Sequence, residues 1–178
     1  MSAYGERVGA ASVKFERLLP GPIDRVWSFL VDPEKRAKWF CAGAFDLRQG
    51  GEAKFDFDHR RLTNEKPPKG FEDFSGAVSM TGKIIEVEPG HLLVFDWPDP
   101  NGANTRVKIE LAEEGEKVRL RLTHSNLSSD DALIQTSSGW HGHLDILDAI
   151  LTTMSVPGFW SVFEKLLGDY AKRFGIPR

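Results

Sequence analysis

Arg106–His124 reads RVKIELAEEGEKVRLRLTH. Val107, Ile109 and Leu111 alternate with Arg106, Lys108 and Glu110. After Glu113-Glu114-Gly115, Val118, Leu120, Leu122 and His124 alternate with Lys117, Arg119, Arg121 and Thr123. A period of two marks a strand with one buried and one wet face. Two such runs around a glycine turn form an antiparallel hairpin.

The same period extends backwards. His91–Trp97 is a strand, and Asp99-Pro100-Asn101-Gly102 is the turn after it. Ser75–Val87 is a long strand with Val78, Met80, Gly82 and Ile84 on one side, closed by Pro89-Gly90. Ala53, Phe55 and Phe57 alternate with Lys54, Asp56 and Asp58, and Phe45–Arg48 forms a short strand before the Gly50-Gly51 turn. Val13, Phe15 and Arg17 open the first strand, which Pro20-Gly21-Pro22 ends. His59–Asp73 fits no period and is expected to be a long exposed loop.

Helical spacing appears in two places. Ile23, Val26, Trp27 and Leu30 share one face, and Asp32-Pro33-Glu34 starts a second short helix that ends near Trp39-Phe40. Towards the C-terminus, Ser125–Thr136 is polar. Trp140, Leu144, Leu147 and Leu151 then form a stripe expected to face the sheet, with His143 and Ile150 on its flank. Pro157 interrupts, and Trp160, Phe163, Leu167 and Tyr170 continue as a further helix over 159–174. Strands and helices do not alternate regularly, so a doubly wound parallel sheet is disfavoured. The order predicts an α+β fold in which a curved antiparallel sheet of about six to seven strands is crossed by a long C-terminal helix.

The 178 residues suit a single domain. We expect a flexible N-terminus over 1–11 and one domain over 12–178. A net charge of -3 weighs against a nucleic-acid binder. One cysteine, Cys41, excludes an intrachain disulfide and weighs against a cysteine-based zinc site. Met1–Ala11 has no apolar run of a secretory signal, and no stretch is long and apolar enough for a membrane span. A cytoplasmic location is therefore expected.

Several of these segments resemble START-like (SRPBCC) proteins of the AHSA-type branch, named for the activator of the ninety-kilodalton heat-shock protein ATPase. They are Pro22-Ile23-Asp24-Arg25-Val26-Trp27, and Asp32-Pro33-Glu34-Lys35 followed by Trp39-Phe40. They continue with Gly82–Pro89, Leu92–Trp97, and Gly139-Trp140 with Leu144 and Leu147. The resemblance runs from about Val13 to Leu151. It implies a helix-grip fold, with the sheet wrapped around the C-terminal helix and enclosing a cavity. The long loop and the helix after Pro157 depart from the family pattern and are expected to reshape the cavity mouth.

The residues expected to line that cavity are Trp39, Phe40, Phe55, Phe57, Phe95, Trp97, His124, Trp140, His143, Leu144 and Leu147. The competing reading of the aromatics is a dry core. His124 either points inward as a hydrogen-bonding or proton-accepting group or sits solvated at the sheet rim. His141-Gly142-His143 is spaced by two, which aims the rings about 200° apart on a helix. No metal is expected there, and the alternative is exposed or capping histidines. Asp56, Asp58, Asp96 and Asp99 form no catalytic pair, and Cys41 reads as a buried, inert thiol. Phosphate-loop, dinucleotide and nucleophile-elbow motifs are missing from the sequence.

The leading expectation is a binding module for a hydrophobic or lipid-like small molecule, with no catalytic residues, metal or cofactor. A chaperone co-factor domain is the second reading, with a chaperone as partner. A cavity enzyme using acid–base chemistry on a hydrophobic substrate is the third. A homodimer is a further candidate assembly. His59–Asp73, carrying Leu62 and Phe71, is expected to act as a lid.

Overall fold

The computed structural model describes residues 3–98 and 104–177; the predicted turn at Asp99–Gly102 lies outside the described residues. The strands are β1 (Glu6–Arg7), β2 (Val13–Pro20), β3 (Glu52–Phe57), β4 (Val78–Glu88), β5 (Leu92–Pro98), β6 (Asn104–Glu114) and β7 (Lys117–Ser125). The helices are α1 (Ile23–Val31), α2 (Pro33–Arg36), α3 (Asp130–Leu151) and α4 (Phe159–Phe174). One antiparallel sheet holds all seven strands in the order β1-β2-β7-β6-β5-β4-β3. β2 and β3 lie near opposite edges, so α1 and α2 carry the chain from one side of the sheet to the other. The α+β helix-grip architecture expected from the sequence is the one observed.

The deciding hairpin pairs as its alternation requires. Val107 faces His124, Ile109 faces Leu122 and Leu111 faces Leu120, all with buried side chains. The opposite face is wet and charged, and Arg119 and Arg121 there both reach Glu16. Gly115, at φ 63, makes the left-handed turn between the two strands.

Helix α3 begins ten residues before the apolar stripe that announces it. Ser129 caps it, accepting from the Ala132 backbone N–H at 3.0 Å, with Asp130 and Asp131 in the first turn. The polar reading of Ser125–Thr136 hid this start because Ser137 and Ser138 are buried too. Their hydroxyls are satisfied within the helix, donating to Leu133 O and Ile134 O. Trp140, Leu144, Leu147 and Leu151 are all buried, but burial is not confined to their stripe. α4 covers another side of α3, so Ile134, His141 and His143 are enclosed as well. The two helices approach closely at Gly142, where a Cβ would lie 3.2 Å from the Phe159 ring.

Other expectations need correction. His141 and His143 are neither exposed nor capping; both are buried. Phe45–Arg48 is not a full strand, and only Phe45 bridges Ala53. The Phe45 ring is drawn down onto Phe55 and under the Arg36 guanidinium, which lies 3.6 Å from its centroid. The loop His59–Asp73 contains a 3-10 turn at His59–Arg61 and starts a second, Glu72–Ser75. His59 is buried and Leu62 and Phe71 pack on the core, while most of the segment between them is exposed. Within residues 1–11, expected to be flexible, β1 pairs with β2 and Gly5 N–H donates to the Tyr170 hydroxyl at 2.8 Å. No helix among the described residues is long and apolar enough to cross a membrane.

Candidate ligand pocket

The sheet and the two long helices do not close on each other everywhere. Toward the C-terminal end of β3 and the N-terminal half of α3, a pocket of about 440 Å³ opens between them. Phe57, Met80 and Trp97 present the sheet side, and Trp140 and His143 present α3. Phe159, Trp160 and Phe163 come from α4, and Phe71 and Phe74 close the front. No Lys, Arg, Asp or Glu lines it among the described residues.

Of the residues expected at the cavity, Phe40, Phe57, Trp97, His124, Trp140 and His143 line this pocket. Trp39, Phe55, Phe95, Leu144 and Leu147 do not; they lie buried behind it. Trp39 is held in the core by its indole N–H, which donates to Phe29 O at 2.8 Å. Phe55 and Phe95 pack on each other with centroids 5.2 Å apart. Position along each element explains the division. Phe57 ends β3 where Phe55 sits in its middle, and Trp140 and His143 precede Leu144 and Leu147 on α3.

Sequence reasoning did not place His59, Phe159, Trp160 or Phe163 in the site. The aromatic stripe of α4 was legible, but which surface it would cover was not. His59 carried no signal beyond ending an alternating strand.

The polar groups of the pocket have defined states. Trp140 Nε1–H can only donate, and it points at His124 Nδ1, 3.0 Å away. The neutral ring of His124 therefore carries its proton on Nε2, which faces Thr105 Oγ1 at 2.9 Å. Thr105 in turn donates to Trp97 O at 3.2 Å. This chain of donors and acceptors engages both ring nitrogens, so His124 is an interior hydrogen-bonding group and not a solvated rim residue.

His143 Nδ1 lies 2.8 Å from Trp39 O, a carbonyl that can only accept. The proton is on Nδ1. Burial drives the ring's pKa down to about 3, with neighbouring His59 lowering it further. His59 is stacked among Phe57, Phe159 and Trp160, and burial lowers it to about 4. Its Nδ1 is buried without a hydrogen-bond partner. The two rings lie 5.6 Å apart.

His141 points the other way along α3, as the spacing of two requires. Its Nδ1 meets the Tyr170 hydroxyl at 2.8 Å and its Nε2 lies 3.5 Å from Asp145. Asp145 also faces the buried Arg17. This network joins α3, α4, β2 and the N-terminal segment away from the pocket. Cys41 is buried, and desolvation pushes its thiol up to about 12. Asp96 pairs with Arg106 on the outer face of the sheet, and Asp56 bonds Ser79 there. Among the described residues no group of three His, Cys, Asp or Glu side chains is arranged to hold a metal ion.

Known proteins share this fold. A Bordetella parapertussis protein solved by NMR in solution is 36% identical, with a TM-score of 0.83 over 97% of this chain and 91% of its own. CalU16 from Micromonospora echinospora is 24% identical, with a TM-score of 0.65 over 95% of this chain and 93% of its own. DynU16, from the dynemicin biosynthetic locus, is 21% identical, with a TM-score of 0.63 over 85% of this chain and 51% of its own. At these lower identities the last two show the fold alone. No curated protein matches the chain significantly. The model of the family described as Activator of Hsp90 ATPase homolog 1-like protein matches residues 20–152, from the end of β2 through α3. With that match and the helix-grip sheet around α3, the chain belongs to the AHSA-type branch of the START-like proteins.

Proposed function

We propose that this protein binds a hydrophobic small molecule, aromatic or lipid-like, in the pocket between the sheet, α3 and α4. The observation that carries this reading is the lining. Aromatic rings from six separate segments converge on one space without filling it. Its volume of about 440 Å³ falls in the range of small-molecule sites. Rings that merely built a core would close to native density.

The histidines favour binding over acid–base catalysis. A general base works best with a pKa near the operating pH. His59 and His143 are held near 4 and 3, and His124 has both ring nitrogens engaged. The segment 59–73 serves as the pocket's lid, since it brings His59 and Phe71 to the lining and otherwise lies exposed.

Native mass spectrometry of the purified protein, with extraction of co-purified small molecules, tests the reading. Titration with a hydrophobic fluorescent probe complements it. We expect one saturable site, weakened by Phe163→Ala and by Trp160→Ala. Absence of saturable binding, or binding indifferent to both substitutions in folded protein, refutes it.

A further inference from the structure

We propose that His59 and His143 form a subsite for a neutral hydroxyl group on the otherwise apolar ligand, so that the pocket selects phenol-like or alcohol-bearing molecules. This rests on the pocket reading above and names its substrate class.

Trp39 O fixes the proton of His143 on Nδ1. The remaining polar atom of the neutral ring, Nε2, is then a lone pair with no hydrogen-bond partner among the described residues. Only a donor can satisfy it. His59 lies beside it; its Nδ1 is sealed in the interior without a partner, which leaves Nε2 as the ring nitrogen open to the pocket. His59 is 6% exposed and surrounded by rings, with Phe159 and Trp160 each 4.7 Å from it. Phe159 also lies 4.5 Å from His143, so both imidazoles pack on the same aromatic ring. A ring nitrogen without a protein partner is costly to leave in an apolar pocket, and two histidines side by side there are a recognition feature.

The chemistry of the partner follows. A hydroxyl donates one hydrogen bond and accepts others, so it can donate to His143 Nε2 and accept from the Nε2–H of His59. A carboxylate or phosphate has no proton to give, and no Lys or Arg among the described residues lines the pocket to pay for its desolvation. A pure hydrocarbon fills the space but leaves both nitrogens unpaired. Burial keeps both rings neutral at pH 7, which agrees with this choice.

The test compares three probes of one shape: 2-naphthol, 2-methylnaphthalene and 2-naphthoate. Quenching of intrinsic tryptophan fluorescence reads binding, since Trp97, Trp140 and Trp160 line the pocket. We expect 2-naphthol to bind at least about fivefold tighter than 2-methylnaphthalene, the worth of one net hydrogen bond, with 2-naphthoate weakest. In His143→Phe the preference for naphthol should vanish while methylnaphthalene still binds. That variant leaves Trp39 O unpaired, so His59→Phe, which loses no hydrogen bond within the protein, provides the second arm and should reduce the preference. The nitrogen-15 resonance of His143 Nε2 should shift with 2-naphthol and not with 2-methylnaphthalene. Equal affinities for the two neutral probes overturn the subsite and leave the pocket reading standing. Failure of all three to bind overturns both.

Discussion

Glu65 fastens the exposed part of the segment 59–73 to the start of α4. α4 starts at Phe159 after Gly158, which has no side chain to cap it. The cap is supplied from elsewhere in the chain: Ser161 N–H donates to Glu65 Oε2 at 3.0 Å. A Cβ at Gly158 would meet the same carboxylate, so a side chain there would push the cap aside. Hydrogen bonds from the Ser161 backbone and side chain hold the Glu65 carboxyl below the usual glutamate range. The positive end of the helix favours the anion too.

Glu65→Ala should therefore cost about 1 kcal/mol, the ordinary worth of an N-cap. Glu65 is exposed, so the lower part of the capping range applies. For a chain of this size each kcal/mol corresponds to a fall of about 2–4 °C in Tm. The change should also be local: the Ser161 amide should exchange hydrogen faster, and a pocket-bound probe should escape faster as the segment loosens. Glu65→Gln, which keeps the acceptor oxygen and loses the charge, should fall between wild type and alanine. The cap's contribution is present above the unfolded glutamate pKa and is lost as pH falls through the lower folded value. Scanning calorimetry with amide-exchange NMR provides the measurements. An unchanged Tm together with unchanged Ser161 exchange in Glu65→Ala would refute the clasp.

Three further outcomes are expected. Leu147 is fully buried between α3 and the sheet, so Leu147→Ala should lose about 2–5 kcal/mol in urea unfolding; a loss below this range would contradict its core position. His59, His141 and His143 have folded pKa values of about 4, 4 and 3, below the ordinary value of about 6.5. The unfolded chain then binds more protons below pH 6.5, so stability should fall with pH at up to about 1.4 kcal/mol per unit per histidine. Urea unfolding at pH 7 and pH 5 checks this, and a flat profile would show that the rings are charged when folded. Cys41, with its thiol pushed up to about 12, should resist a thiol reagent in the native state and react only on unfolding.

What the sequence disclosed and what it concealed divide along one physical line. Alternation over Val107–Leu111 and Val118–Leu122 was enough to orient the inward apolar side chains of β6 and β7, because a strand has only two faces. A helix buried on several sides gives no such signal. In α3 the buried Ser137 and Ser138 look like surface letters, and the capping Ser129 was hidden inside a polar run. The histidines show the limit most sharply. Their spacing of two on a helix requires them to diverge, and they do, His141 to Tyr170 and His143 to Trp39 O. What each would meet depended on where α4 and the segment after β3 came to rest. The pocket is a product of these non-local meetings. His59 follows β3, His143 lies on α3 and Phe159 opens α4, and local periodicity in one of these segments carries no information about the other two. The family match runs over residues 20–152 and ends before α4, which supplies the aromatic wall opposite the sheet and α3. Ligand selectivity should accordingly respond more to exchanges at Phe159, Trp160 and Phe163 than to equally conservative exchanges in the sheet.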